Sequence, residues 1–150
     1  MNLEMLDEIM REYDYGESGL ISMLQDIQRE ENYLPESEMR AVAERVGVPA
    51  SRIYSLATFY KSFSLKPRGK HLVNVCTGTA CHVKGGDRLM DKCSRELDVE
   101  PGETTADGNF TVEPVRCVGC CGLAPVVVVD GEFQGKMTQR KVSKMLERCD

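Results

Sequence analysis

Up to about residue 61 the apolar positions repeat with helical spacing. Leu20, Met23, Leu24 and Ile27 stand at i, i+3, i+4 and i+7, as do Met39, Val42, Ala43 and Val46, and again Ile53, Leu56, Ala57 and Tyr60. Residues so spaced share one face of a helix, so each run predicts an amphipathic helix with a stripe to bury. Gly47 is the expected stop of the second helix and Ser51 the expected start of the third. A further short helix is expected around Met5, Leu6, Ile9 and Met10. None of these segments carries a pair of metal-ligating side chains, and together they predict a small packed bundle.

The pattern changes after Gly69. His71 to Val75 is a short β-type run that ends at Cys76, and Asp87 to Leu97 predicts a helix with Leu89, Met90, Cys93 and Leu97 on its apolar face. Asp107-Gly108 and Asp130-Gly131 lie between apolar or β-branched runs, the short-range signature of hairpins. Val126 to Val129 is a four-valine run suited to a buried strand. From Thr138 the period is helical again, with Val142, Met145, Leu146 and Cys149 on one face. The fold class expected is α+β: a helical bundle over residues 1–66, then a compact α/β layer over residues 67–150, small enough to be thioredoxin-like.

Composition narrows the class. With 41% hydrophobic and 29% charged residues the chain reads as a soluble globular protein, and its net charge of −5 gives no generic grip on nucleic acid. The longest apolar run, Leu123 to Val129, contains Pro125 and falls far short of the roughly 20 residues that span a bilayer. The first residues carry acids where a secretory signal needs a positive start, so a cytoplasmic location is expected, membrane-peripheral at most through a complex. In that reducing compartment seven cysteines point to metal binding or redox chemistry rather than to disulfides.

The cysteines are grouped. Cys76 and Cys81 form a C-x4-C, and Cys117, Cys120 and Cys121 stand in VRCVGCCG, each group beside glycine. A [2Fe–2S] cluster needs four thiolates, two per iron; Cys76 with Cys81 can wrap one iron and Cys117 with Cys121 the other. Backbone N–H groups of Gly78, Gly119 and Gly122 can donate to sulfur, and the helix after Gly86 can turn its positive end toward the loop. Spacing alone leaves alternatives open. Cys117-Val118-Gly119-Cys120 is itself a C-x-x-C, which suits a zinc knuckle with Cys76, Cys81, Cys117 and Cys120, or a dithiol site. A Rieske centre would require two histidines, and only His71 and His82 are at hand. Cys93 and Cys149 continue apolar helix faces and read as inert core thiols, whereas Cys120 is either a spare thiol or a substitute ligand.

The segments NVCTGTACHVKGG and FTVEPVRCVGCCGLAPVVVVDG resemble the thioredoxin-like [2Fe–2S] subunit of respiratory NADH dehydrogenase, the small flavoprotein-fragment subunit. The same family serves NAD-linked hydrogenases, NAD-dependent formate dehydrogenases and electron-bifurcating complexes. The helical half is similar too, including Leu34-Pro35 and Thr58-Phe59-Tyr60, and the match runs from about residue 17 to the end. Carried over by position, the resemblance implies Cys76, Cys81, Cys117 and Cys121 as ligands, the last because it directly precedes Gly122-Leu123-Ala124-Pro125. A thiol at Cys120 departs mildly from a family that often has a small residue there. The resemblance also implies a redox subunit without a substrate site of its own, docked against a larger flavoprotein subunit with FMN and an NADH site, and further iron–sulfur subunits. The chain has no G-x-G-x-x-G, P-loop or H-E-x-x-H of its own. A free-standing ferredoxin and a zinc-stabilised interaction module are the competing readings.

Overall fold

The computed structural model describes residues 3–149, and the chain divides into two compact units, Met1–Pro67 and Arg68–Asp150. The first unit holds α1 (Leu3–Glu12), a 3-10 turn (Glu17–Gly19), α2 (Leu20–Glu31), α3 (Glu36–Val46) and α4 (Ala50–Phe59). The helical stripes read from the sequence are what this unit buries: Leu20, Met23, Leu24 and Ile27 of α2 meet Leu6, Met10, Met39, Val42 and Ile53 in one core. Gly47 ends α3 as expected, at φ 80°, with its N–H bonded to Ala43 O at 3.0 Å.

Two boundaries differ from expectation. Helix α4 begins at Ala50 rather than Ser51, because Pro49, extended at φ −62° and ψ 140°, already sets the turn into the helix. Tyr60 lies outside α4, with an extended backbone and a half-open ring. Beyond it the chain folds back along α2, where the Gln28 amide donates to Ser62 O at 2.8 Å and accepts from Ser64 N at 2.6 Å. That side chain stands in for a strand partner and lets Phe63 reach the core.

The second unit runs β1 (His71–Cys76), α5 (Thr79–Val83), α6 (Gly86–Leu97), β2 (Phe110–Val115), a 3-10 turn (Cys121–Leu123), β3 (Val127–Val129), β4 (Glu132–Gln134) and α7 (Gln139–Leu146). Its sheet has the order β2-β1-β3-β4. Strand β1 pairs parallel with β2 and antiparallel with β3, and β3 turns into β4 at Asp130-Gly131, the hairpin expected there. Across the Asp107-Gly108 turn residues 102–105 pair antiparallel with 110–112, through Thr105 N–H on Phe110 O at 2.8 Å, Val112 N–H on Glu103 O at 3.2 Å and Gly102 N–H on Val112 O at 2.6 Å, a short hairpin around the bridge Thr104 to Thr111. The pairing stops at Pro101, which has no N–H, and Gly102, at φ 91°. Pro114 is tolerated in β2 because β2 is an edge strand.

Strand alternation separates two faces. Val73 and Val75 of β1, Val112 of β2 and Val127 and Val129 of β3 pack with Leu89, Met90 and Cys93 of α6 and Val142, Met145 and Leu146 of α7. Cys76, Val126 and Val128 carry the opposite parity and form a separate small core with Cys81 and Ala124. Cys93 is fully buried in the first face, and burial pushes its thiol from 9.0 up to about 12. A raised thiol pKa means that the neutral form is the one the fold favours, so Cys93's contribution is intact below about pH 9 and fades as pH climbs toward 12. Alkylation with iodoacetamide at pH 8, mapped by mass spectrometry, is expected to leave Cys93 unmodified in the folded protein and to modify it once the protein is unfolded.

Gly86 is a tight joint of this unit. A Cβ there would lie 2.8 Å from Cys76 O and 3.0 Å from Cys81 O, both backbone atoms that cannot step aside. Gly86→Ala is therefore expected to cost about 1–3 kcal/mol by overpacking, despite the roughly 1 kcal/mol by which alanine favours a helix. Gly122→Ala, whose Cβ meets nothing within 4 Å, should stay within about 0.5 kcal/mol of the parent. Anaerobic chemical denaturation of the two variants measures the difference.

Candidate metal centre

Cys76 is the last residue of β1 and is placed by strand parity on the face away from α6 and α7. Just after it, Thr77 donates to Val115 O at the end of β2 through both its N–H, at 2.8 Å, and its Oγ1, at 2.9 Å. That pair of bonds ties the start of one cysteine loop to the start of the other. The chain after Thr77 turns into α5, which buries Cys81, while the chain after Val115 leads through Arg116 to Cys117.

The two loops touch at Gly78. A Cβ at that position would stand 3.0 Å from Arg116 O, 3.5 Å from Cys117 Cβ and 3.6 Å from Cys117 Sγ, so a glycine is what permits the approach. Between the loops lies a cavity of about 570 Å³ lined by Cys76, Cys81, Cys117, Cys120 and Cys121 together with Lys84 and Arg116. The sequence-predicted set of four is thus brought to one place, with Cys120 beside it. Cys76 and Cys81 are buried, whereas Cys117 and Cys121 are exposed.

Backbone donors face the sulfurs. Burial pushes the Cys76 thiol up, but N–H groups of Gly78 and Val118 and the thiols of Cys81 and Cys117 outweigh it, and the net direction is down. Burial raises Cys81, opposed by the Val126 N–H and reinforced by the neighbouring Cys76 and Cys121. Gly119 N–H donates to Cys117 Sγ at 3.3 Å. Two of the three glycine donors expected from the sequence, Gly78 and Gly119, are thus directed at sulfur. Val118 and Val126 escaped sequence reading because a backbone N–H carries no residue-type signal. Lys84 and Arg116 were not singled out from the sequence, where a basic residue close to each cysteine group was the available signal, and their place on the cavity wall gives them a use as countercharges.

The donor set fits an iron–sulfur group. Four thiolates and two sulfides around two ferric ions leave a net charge of about −2, and about −3 after reduction, which N–H dipoles and two cations offset. Among the described residues no three histidine, cysteine or acidic side chains are grouped closely enough to hold a metal ion. Neither histidine joins them. His82 turns outward to pair with Asp87 at 2.8 Å, and His71 sits at the far end of β1, bonded to Asp130 at 2.7 Å. Five strand residues at about 3.3 Å each hold it away from Cys76.

Comparison with known proteins places the fold and the family. The chain is 38% identical over 130 residues to the NADP-reducing hydrogenase subunit HndA of Solidesulfovibrio fructosivorans, covering 87% of this chain and 76% of that one. It is 36% identical over 150 residues to the E subunit of the NADH-quinone oxidoreductase of Rickettsia conorii, covering 98% and 90%. To the corresponding Escherichia coli protein it is 30% identical over 145 residues, covering 97% and 87%. In fold it matches the crystal structure of an air-oxidized NAD+-reducing [NiFe]-hydrogenase with a TM-score of 0.77 at 20% identity over 87% of this chain. The match spans 22% of that hydrogenase chain, about a fifth of its length. A family model described as thioredoxin-like [2Fe-2S] ferredoxin matches residues 6–150. The chain belongs to the thioredoxin-like [2Fe–2S] ferredoxin family.

Proposed function

We propose that this protein is the electron-transfer subunit of an NADH-linked flavoprotein oxidoreductase complex, with Cys76, Cys81, Cys117 and Cys121 holding its [2Fe–2S] cluster. The observation that carries the reading is the single cavity on which those four cysteines converge from the ends of β1 and β2. When bound there, the cluster accepts and releases one electron at a time. The chain's own residues do the rest. Against the opposing effect of burial, backbone donors draw the Cys76 thiol downward, the direction that favours the thiolate a metal ligand must become. The N–H groups of Gly78, Val118 and Gly119 donate to sulfur, which favours the added charge of the reduced state. Lys84 and Arg116 stand on the same wall as countercharges.

The partner in this reading is a flavoprotein subunit with FMN and an NADH site, and the relatives from Solidesulfovibrio fructosivorans and Rickettsia conorii are themselves subunits of larger oxidoreductases by name. Two features favour docking at the cysteine loops. Val83 on the cavity rim is 78% exposed and Leu123 is 45% exposed, apolar surface that a partner can cover while excluding water. The charge is also placed to allow it: residues 1–67 hold twelve acidic against seven basic side chains, whereas residues 68–150 are balanced at twelve of each. The cluster-bearing half therefore adds no excess negative charge of its own. Residues 1–66 form the interaction bundle and 67–150 the redox domain in this proposal, and a cytoplasmic site of action follows from it. Among the described residues no helix is long and apolar enough to cross a membrane.

Cys117→Ala is expected to abolish the visible absorption and the EPR signal of the reduced protein, whereas Cys93→Ser leaves both intact. Loss of the signal in Cys93→Ser, or its persistence in Cys117→Ala, contradicts the ligand assignment. Val83→Glu should keep the spectrum and lower the amount of flavin-containing protein that co-purifies with a tagged chain by about tenfold, the effect of placing a charge in a desolvated contact. Isolation of the tagged wild-type chain as a stable monomer without flavoprotein would favour a free-standing ferredoxin instead.

A further inference from the structure

Five sulfurs line a cavity whose proposed occupant needs four. We propose that Cys120 is a reserve ligand, able to take the place of Cys121 on the same iron; this rests on the ligand set of the proposed function. Cys120 is half-buried against the small core that contains Cys76 and Cys81, and its thiol donates only a long bond, 3.8 Å, to Val118 O. Cys121, the sulfur it would replace, is exposed. An exposed ligand is the one most open to oxidation or alkylation.

The loop is built to allow the exchange. Moving from one residue to the next along the chain is a shift of about 3.8 Å. Gly119 and Gly122 bracket the two cysteines, and a Cβ on either would meet nothing within 4 Å, so the chain at both brackets has open space around it. Gly119 already sits at φ 78°. Few bonds hold the present register: Gly119 N–H on Cys117 Sγ at 3.3 Å on one side, and a 3-10 turn on the other, with Leu123 N–H on Cys120 O at 2.9 Å and Ala124 N–H on Cys121 O at 3.2 Å. Cys76 and Cys81 have no equivalent, since both are buried and no cysteine stands beside either. Cys120 is also a poor substitute for Cys117, because it would then have to share one iron with its direct neighbour Cys121, and adjacent side chains diverge. In the exchange an iron–Cys121 sulfur bond would be lost and an iron–Cys120 sulfur bond formed, with the Cys120 thiol proton passing through solvent to the released Cys121 thiolate; no electron is gained or lost.

The test uses Cys121→Ala rather than serine, whose oxygen can itself bind iron. Full-length wild type, Cys120→Ala, Cys121→Ala and the double variant are isolated anaerobically and assayed for iron, acid-labile sulfide and EPR. The proposal expects about two irons per chain in wild type and both single variants, with a shifted spectrum in Cys121→Ala, and none in the double variant. Alkylation mapping should find Cys120 protected in Cys121→Ala and reactive in wild type. Colourless or unrecoverable Cys121→Ala beside a cluster-bearing wild type overturns the reserve role alone. Bleaching of Cys120→Ala overturns it too, by making Cys120 the resident ligand. Retention of the cluster in the double variant excludes both residues, and a wild type without iron and sulfide removes the functional reading underneath.

Discussion

The parallel, in-register pairing of β1 with β2 is the constraint on which the rest of the site depends. His71 stands opposite Phe110 and Cys76 opposite Val115, so the two strands end together at the same edge of the sheet. Parallel strands require a crossover, and here the helix α6 supplies it while covering one face of the sheet. Two cysteine loops separated by 35 residues in sequence are thereby delivered to one end, and the two bonds from Thr77 to Val115 fasten them there. A slip of one residue would send Cys76 to the helix-covered face and Val75 into its place, because strand side chains alternate. The valines filling that face at positions 73, 75, 112, 127 and 129 therefore do more than provide stability; they fix which way Cys76 points.

The resulting centre is asymmetric. Cys76 and Cys81 lie inside, where main-chain donors and low exposure favour a defined ligand geometry, and Cys117 and Cys121 lie at the surface beside Val83 and Leu123. In the proposed ligand set the buried pair would anchor the group to the fold, and the exposed pair would leave it within reach of a partner. Glycine matters at only a few positions here: Gly78 allows the loops to touch, and Gly86 allows α6 to begin against the carbonyls of Cys76 and Cys81. Main-chain N–H groups of Gly78, Val118 and Gly119 thus face the sulfurs of a centre that would become more negative on reduction.

Much of this was legible in the sequence, for physical reasons. The helical stripes of α2 and α3, the run from His71 to Cys76, the valines of β3 and the hairpin at Asp130-Gly131 all carry strong periodic or turn signals. The cysteine grouping pointed to a metal or redox site, while the cofactor class came from the resemblance carried by the two loops, since their spacing alone also suits a zinc knuckle or a dithiol site. Helix ends were less so: Pro49 preceded Ser51 as the start of α4, and Tyr60 fell outside it because the Gln28 side chain offers the following backbone an alternative partner. The five-residue α5 has too short a period to be read, and the upstream arm of the Asp107-Gly108 hairpin is cut short at Pro101-Gly102. Register, and with it the backbone donors to sulfur, depends on contacts distant in sequence, which no local pattern reports.

The central claim is that this fold holds a binuclear iron–sulfur centre at the joined ends of β1 and β2. Quantitative iron, zinc and acid-labile sulfide analysis of anaerobically isolated wild-type protein, with EPR before and after dithionite reduction, tests it most directly. The account predicts about two irons and two sulfides per chain and an EPR signal that appears only on reduction. One zinc per chain, with no sulfide and no signal, would contradict it.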